Sequence, residues 1–318
     1  MNVASNRFVN SHVLVVSYHY IRSRSGILFP GIHPVTYDDF IHHIDYIKSH
    51  LAIISPCEFE NSINGFCMDT PAALLTFDDG LRDHLYAAKE LERYGLRGAF
   101  FICSRPSLER KALPVHKLHW LRAHTPPDDF YEGFFSLLPS QWQDLLLSPS
   151  IEIKNAAADQ YHFDSPPTQV LKYLLNFILP YECVDQICTN MLSMHGLDED
   201  RFCRETYLTI EEIQSLADQG HLIGCHGHLH KPFSQFNVNE LLADIAENKK
   251  FLQDVAGANA EWLAYPYGGE WSLPADTTSF TLDAGIRLAF TYERGWNTKN
   301  VPSDRLKRID CTEIKKFI

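Results

Sequence analysis

The sequence predicts an α/β fold, either a barrel or a wound sheet, on three observations. Short apolar runs alternate with amphipathic segments along most of the chain, which favours an α/β fold over an all-β fold. The 318 residues are 45% hydrophobic, enough for the core of one large α/β domain or two ordinary ones. Polar clusters directly follow four of the apolar runs, and the rim of a parallel sheet carries functional side chains at that position.

The N-terminal third of the chain alternates predicted strands with predicted helices. The helix that begins at Thr36 carries Phe40, Ile44 and Ile47 on one stripe, and Gly95 ends the second helix as a C-cap. The predicted strands are 13–18, 72–77 and 98–103, and the predicted helices are 36–47 and 83–94.

The C-terminal third repeats this alternation with clear helix starts. Thr209 and Glu212 form a capping-box pattern, and Asn237 with Glu240 caps a second helix. The apolar stripe of that second helix is Leu241, Ile245, the stem of Lys249, and Leu252. The predicted strands here are 221–225 and 261–265.

We interpret the chain, residues 1–318, as a single domain with a mainly helical insertion at about 105–204. Prolines are spread through that segment between helical stretches such as 170–179, and it carries no recognisable chemical motif.

The charge balance argues against two classes of partner. Lys and Arg number 28 and Asp and Glu 40, so the net charge is −12. Nucleic acids and anionic membrane surfaces bind basic patches, so we expect neither as a partner. The sequence shows no transmembrane segment and no secretory signal. We therefore expect a cytoplasmic protein whose eight cysteines are free thiols.

His226 and His230 are candidate metal ligands after the predicted strand 221–225. A spacing of four residues puts two imidazoles on one side of a helical turn, which suits a divalent metal. A polar loop gives the same pattern without binding any metal, and the chain has 16 histidines. The pair alone does not decide between these alternatives.

Asp78 and Asp79 follow the predicted strand 72–77 and precede Gly80. Asp-Asp-Gly is also a common turn. Two adjacent carboxylates cannot point the same way, however, so one can ligate a metal while its neighbour faces the substrate as a base. One Asp and two His leave positions open for water, as a catalytic zinc requires. The combination predicts a metal centre.

These motifs resemble those of the polysaccharide deacetylases, carbohydrate esterase family four. The family's first motif is matched by Leu75-Thr76-Phe77-Asp78-Asp79-Gly80, and its second, His-Ser/Thr-x-x-His, by His226-Gly-His-Leu-His230. An approach helix at Tyr207-Leu-Thr209 and the third motif at Ala264-Tyr-Pro-Tyr-Gly268 are similar as well. The resemblance spans nearly the whole chain except the insertion, and it implies an α/β fold of the distorted (β/α)7-barrel type.

The resemblance also implies roles for particular residues. Asp78 would be the catalytic base and Tyr267 the backbone N–H donor to the oxyanion. The metal ligands would be Asp79, His226 and His230, with Zn²⁺ or another divalent transition metal as cofactor. Further candidates for substrate binding are Tyr265, His228 and Trp296, although loop structure explains His228, and core packing Trp296, equally well.

Three positions depart from the family pattern. Gly227 replaces the usual Ser/Thr, and Ala264 stands where many members have an arginine that holds the base. No Leu-x-His motif, the common source of the general acid, appears near the C-terminus. In a branch that resembles the poly-N-acetylglucosamine deacetylases, the acid histidine precedes the first motif in a Tyr-His element. Tyr18-His19 matches that element, which implies His19 as general acid; the alternative is a core histidine bonded to backbone.

The sequence therefore predicts a metal-dependent hydrolase that removes an N-acetyl group from an acetamido sugar. The expected substrate is a nucleotide- or lipid-linked precursor of a surface polysaccharide, such as lipopolysaccharide or capsule. Two alternatives stay open. A metal-independent cyclic-amide hydrolase on the same fold is disfavoured by the intact ligand set, and a non-catalytic sugar-binding relative gains room from the departures at Ala264 and the C-terminus.

Overall fold

The computed structural model describes residues 12–23, 34–63, 70–161 and 165–318. The chain divides into two compact units. In its described part, the first unit comprises 12–23, 34–63, 70–110 and 203–318, and the second comprises 111–161 and 165–202.

The first unit contains the strands of the described chain. They are β1 (Val13–Tyr18), β2 (Ile21–Arg22), β3 (Val35–Thr36), β4 (Ala52–Ile53), β5 (Ala72–Phe77), β6 (Ala99–Ile102), β7 (Leu222–Cys225), β8 (Trp262–Ala264), β9 (Leu288–Phe290) and β10 (Ile309–Asp310). Eight of them form one parallel sheet in the order β10-β1-β5-β6-β7-β8-β9, with β4 beside β5. Strands β2 and β3 form a separate parallel pair.

The helices follow the strands in the alternation that the sequence predicts. Those of the first unit are α1 (Tyr37–His50), α2 (Pro56–Ile63), α3 (His84–Arg93), α4 (Arg105–Glu109), α12 (Ile210–Asp218), α13 (Val238–Ala256), α14 (Thr277–Asp283) and α15 (Ile314–Phe317). The second unit holds α5 (Pro114–His124), α6 (Pro127–Leu137), α7 (Ser140–Leu147), α8 (Ile151–Gln160), α9 (Pro166–Tyr173) and α10 (Tyr181–Met194), and α11 (Glu199–Thr206) continues from it into the first.

Side-chain caps begin three of these helices, two of which were predicted from their capping residues. The Thr36 hydroxyl accepts from the Asp39 N–H at the start of α1. Complete capping boxes join Thr209 to Glu212 and Asn237 to Glu240 at the starts of α12 and α13. Each cap satisfies amide donors that the first helical turn leaves unpaired, which is worth about 1 kcal/mol per helix.

Both faces of the parallel sheet are buried. Strands β1 and β5 pair over six residues, and every side chain of both is buried. Alternate residues enter different clusters because side chains alternate across a strand. Leu75 and Phe77 join the larger cluster with the helices, and Leu74 joins the smaller one with Phe101 and Trp262.

This topology brings the polar motifs together. Strands β1, β5, β7 and β8 all run parallel, so the residues that follow them lie at the same edge of the sheet. The predicted strands 13–18, 72–77, 98–103, 221–225 and 261–265 are confirmed within one or two residues at their ends.

The second unit is helical and is held together partly by a buried ion pair. Lys117 is fully buried, and its ammonium donates to Asp185 Oδ1 and Thr189 Oγ1, both at 2.7 Å, and also pairs with Glu199. No helix in the described ranges is long and apolar enough to cross a membrane. The seven cysteines within those ranges are free thiols, and Cys67 lies outside them.

Candidate metal centre and active site

Three predicted ligands converge at the edge of the sheet. Asp79 follows β5, whereas His226 and His230 follow β7. Asp79 Oδ1 lies 3.1 Å from His226 Nε2 and 3.2 Å from His230 Nε2, and all three side chains are buried. Their ligand atoms all lie within 4.8 Å of one another. The structure therefore assembles the predicted set from distant parts of the chain.

The donor chemistry of this group fits a divalent metal. His226 Nδ1 donates to the Ala264 carbonyl at 2.7 Å, so the Nε2 of a neutral His226 carries a lone pair. That lone pair faces a carboxylate oxygen at 3.1 Å, so the two atoms need a positive charge between them, which either a metal ion or a proton on Nε2 supplies. Burial lowers the pKa of His226, but the Asp79 and Asp78 carboxylates outweigh it and raise the pKa above its ordinary value. Two imidazoles and one carboxylate suit zinc, with Ala264 fixing the orientation of one ring.

Backbone strain also concentrates here. Five non-glycine residues in the described ranges have a positive φ, and three of them are Asp79 (78°), His230 (54°) and Tyr267 (63°). Such conformations cost on the order of 1–3 kcal/mol each, and they cluster at functional sites. The strained backbone therefore lies at the same edge of the sheet as the candidate metal ligands.

The expectation that His226 and His230 share a helical turn is wrong. Residues 226–230 form a non-helical loop. Gly227 at φ 76° and His230 at φ 54° both leave the right-handed helical region, so the chain cannot make helical hydrogen bonds there. The two imidazoles meet because the loop turns back, and helical periodicity plays no part.

Asp78 is held by an arginine that sequence reasoning did not identify. Arg308 Nη1 donates to Asp78 Oδ1 at 2.8 Å and lies 2.8 Å from Oδ2, and both side chains are almost fully buried. Arg308 Nε donates to the Thr291 carbonyl, and its guanidinium lies 4.8 Å from the centre of the Tyr292 ring. Burial raises the pKa of Asp78, but the charges of Arg308, His226 and His19 outweigh it and keep the pKa below its ordinary value. Asp78 is therefore a carboxylate at neutral pH.

Arg308 supplies the charge that Ala264 lacks. It stands directly before β10, which pairs with β1. No motif surrounds it; in the sequence it is one of several basic residues near the C-terminus, followed by Ile309 and Asp310. The arginine missing at position 264 thus has a counterpart that directly precedes β10.

His19 reaches the site from the end of β1. Its Nε2 lies 4.0 Å from Asp78 Oδ2, and its side chain is 36% exposed. Its Nδ1 lies 3.5 Å from the Tyr292 hydroxyl, and its carbonyl accepts from His84 Nε2 at 3.0 Å. The imidazole is therefore open to solvent beside the base, unlike that of a core histidine.

Two further candidates after β8 have different environments. The Tyr267 ring centre lies 4.9 Å from that of His230 and 5.3 Å from that of Trp271, which places Tyr267 beside the ligands. Tyr265 does not reach the site. Its side chain is fully buried in the core, and its hydroxyl donates to the Asp304 carbonyl at 3.0 Å.

His228 and Trp296 are not brought to the metal ligands. His228 Nδ1 bonds Ser104 Oγ at 3.0 Å, and its Nε2 lies 3.2 Å from Glu109 and 3.9 Å from Glu247. This second group of ligand-type side chains has a buried histidine and two exposed glutamates. Trp296 packs half-buried against the larger core cluster.

Comparison with known proteins agrees with this geometry. Residues 184–289 match the family model described as polysaccharide deacetylase. No protein of curated function matches at a significant level.

Three solved structures share the fold. The Streptococcus pyogenes deacetylase PplD in complex with acetate is 13% identical, with a TM-score of 0.56 over 95% of this chain and 92% of that one. IcaB from Ammonifex degensii is 16% identical, with a TM-score of 0.56 over 94% and 91%. A de-N-acetylase from Aggregatibacter actinomycetemcomitans is 14% identical, with a TM-score of 0.55 over 97% and 100%.

At these identities the structures establish a shared fold, the distorted (β/α)7-type barrel with its parallel, curled sheet. The family match on this fold confirms the predicted resemblance to the polysaccharide deacetylases and the enzyme class that it implies, an N-deacetylase hydrolase.

Proposed function

We propose that the protein is a metal-dependent deacetylase that hydrolyses the N-acetyl group of an acetamido sugar in a surface polysaccharide or its precursor. One observation carries the proposal. Asp79, His226 and His230 converge beside Asp78, a buried carboxylate that Arg308 holds in its ionised form.

We assign catalysis to the first unit alone, since every residue of the site belongs to it. The helical unit at 111–202 is an insertion within that catalytic domain, close to the 105–204 span expected from the sequence. A cytoplasmic, nucleotide- or lipid-linked substrate of the lipopolysaccharide or capsule type stays a prediction, which fractionation and substrate profiling would check.

The proton-transfer chemistry follows from the residues around Asp78. Asp79, His226 and His230 would hold a divalent cation, which supplies Lewis acidity toward the amide carbonyl and toward water. Asp78 takes a proton from the attacking water, because its pKa is held below its ordinary value and it is ionised at neutral pH. Arg308 keeps that carboxylate ionised and fixes the oxygen that faces His19.

The leaving amine needs a proton, and His19 is placed to donate it. Its solvent-exposed ring lies beside Asp78, and general acid catalysis of this kind contributes about 10²- to 10⁴-fold. The Tyr267 backbone N–H, set by its positive φ, is the proposed donor to the oxyanion. Such a donor is worth roughly 3 kcal/mol in comparable sites. Water adds to the acetyl carbonyl, the C–N bond breaks, and acetate and the free amine leave.

The two alternatives have weaker support. A metal-independent hydrolase of cyclic amides would not need two imidazoles facing one carboxylate oxygen. A binding-only relative drew its support from the arginine missing at position 264 and from the missing Leu-x-His motif near the C-terminus. Arg308 holds Asp78 in place of the first, and His19 lies beside Asp78 as the proposed substitute for the second.

Metal content by plasma mass spectrometry tests the proposal most directly. We compare wild type, Asp79→Ala, and the exposed control Asp283→Ala, all purified identically. We expect about one zinc-like ion per chain in wild type and control, with acetate released from N-acetylglucosamine oligosaccharides, and loss of both in Asp79→Ala. Equal metal in wild type and Asp79→Ala, or none in wild type, would contradict the proposed ligand set.

A further inference from the structure

The loop at 226–230 is held from one side by two buried polar residues of helix α13. The His226 N–H donates to Asn248 Oδ1 at 3.1 Å. The His228 N–H donates to Asp244 Oδ2 at 2.8 Å, and the Leu229 N–H donates to Asp244 Oδ1 at 3.0 Å. Three backbone N–H groups of the loop are therefore bound to one helix.

These two residues interrupt the apolar stripe of α13. Asp244 and Asn248 are one helical turn apart, between Leu241 and Leu252, and are 6% and 0% exposed. Burying a carboxylate or an amide without partners costs several kcal/mol, so polar residues in a core stripe need specific bonds. Asn248 Nδ2 also donates to the Ile102 carbonyl at 3.0 Å, which ties the loop to the end of β6.

Gly227 in the loop makes room for the Asp244 carboxylate. Its φ is 76°, and a Cβ at this position would lie 2.9 Å from Asp244 Oδ2. The glycine thus leaves room for the carboxylate beneath the loop. Where the related motif has a Ser/Thr side chain within the loop, this chain has a carboxylate supplied by the neighbouring helix.

We infer that Asp244 and Asn248 are positioning residues for the metal site, which set the distance between His226 and His230 and thereby the affinity for the ion. Asn248 holds the backbone N–H of His226, and the Ala264 carbonyl holds Nδ1 of its ring. The turn that Asp244 holds at His228 and Leu229 delivers His230 to Asp79. The inference rests on the proposed metal function of these histidines.

The test measures Zn²⁺ affinity of the full chain by competition with a chromogenic chelator, without any sugar substrate. Asp244→Ala is expected to weaken Zn²⁺ binding by about 10- to 100-fold, as for other residues that orient metal ligands. The matched control is Asp254→Ala, an exposed aspartate on the same helix, which is expected to leave the affinity unchanged. Thermal unfolding of the metal-free proteins accompanies each measurement.

Two more variants keep the inference falsifiable if Asp244→Ala fails to fold. Asp244→Asn preserves the size of the side chain but replaces one carboxylate oxygen by an NH₂ group. That donor would face the N–H of His228 or Leu229, so weaker Zn²⁺ binding is again expected. Gly227→Ala in the wild-type chain is expected to weaken Zn²⁺ binding, since its Cβ would lie 2.9 Å from Asp244 Oδ2. If the Asp244 carboxylate sets the loop, the same change should weaken Zn²⁺ binding less in the Asp244→Asn background, because both substitutions affect one contact.

The outcomes separate this inference from the proposed function. Wild-type binding of Zn²⁺ together with unchanged affinity in folded Asp244→Asn or Asp244→Ala overturns the inference alone. Absence of Zn²⁺ binding in wild type overturns the metal proposal and the inference with it. Weaker binding in the Asp244 variants at an unchanged melting temperature of the metal-free protein supports a positioning role over a merely structural one.

Discussion

Replacing Arg308 by methionine removes the charge that holds Asp78 ionised while keeping much of the side-chain length. Both partners are buried, with Arg308 0% and Asp78 1% exposed. Burial is the largest influence on the pKa of Asp78, and without the guanidinium it would raise that pKa. Arg308→Met should therefore convert the proposed base into a carboxyl group that is more easily protonated.

The magnitude follows from the buried ion pair. A neighbouring arginine lowers a carboxyl pKa by about 1–3 units, and each unit corresponds to about 1.4 kcal/mol. A base works above its pKa, so the acid limb of kcat/KM should move to higher pH by at least about one unit. Breaking a buried pair by removing one partner also costs about 3–5 kcal/mol of unfolding free energy.

The assay measures kcat/KM for acetate release from about pH 4 to 9, a range that covers the ordinary pKa values of carboxyl and imidazole groups. Chemical denaturation of each variant measures its unfolding free energy. Arg308→Lys keeps the charge but loses the planar guanidinium, whose Nη1 contacts Asp78 while Nε donates to the Thr291 carbonyl, so its acid limb should move less. The control is Arg294→Met, which breaks the ion pair between the exposed Arg294 and Glu313. It should leave the acid limb in place and change the unfolding free energy by no more than about 1 kcal/mol. If Arg308→Met is folded and retains the wild-type acid limb, the ion pair does not set the state of Asp78 and the reasoning fails.

Two further predictions concern histidines. His19→Ala should lower kcat for acetate release by about 10²- to 10⁴-fold, whereas the exposed His42→Ala should not; an unaffected kcat would remove His19 as the acid. His221 is buried, accepts the Gly98 N–H at Nδ1, and burial lowers its pKa to about 4. Its neutral form stabilises the fold above pH ~6.5, and this contribution declines as the pH falls toward 4, because the unfolded chain binds the proton first. Between about pH 7.5 and 5, the unfolding free energy of His221→Asn should therefore fall by about 2 kcal/mol less than that of wild type. Denaturant titration at both pH values measures the two falls, and equal falls would contradict the buried neutral state.

Local signals were sufficient for the secondary structure of the first unit. Capping residues act on the first helical turn, so Thr209 and Asn237 predicted two helix starts from neighbours three residues away. Mostly apolar runs predicted β1 and β5, because a strand buried on both faces carries few polar residues. The positions of Asp79, His226 and His230 directly after such strands were enough to predict that they meet.

The sequence did not reveal how the loop at 226–230 folds. Helical spacing suggested one turn for His226 and His230, but the left-handed conformations of Gly227 and His230 rule it out. Asp244 and Asn248 were visible only as polar residues at stripe positions, a pattern that does not say which backbone groups they bond.

The sequence by itself thus determined the class of fold, the helix starts and the identity of the three candidate ligands, since these depend on residue type and short spacing. Only the tertiary structure decided what surrounds them. It placed Arg308, 230 residues from Asp78 along the chain, against the carboxylate, and it left Tyr265 in the core. Those pairings arise because parallel strands distant in sequence end side by side, and no local pattern encodes which side chain will then fill a given buried space.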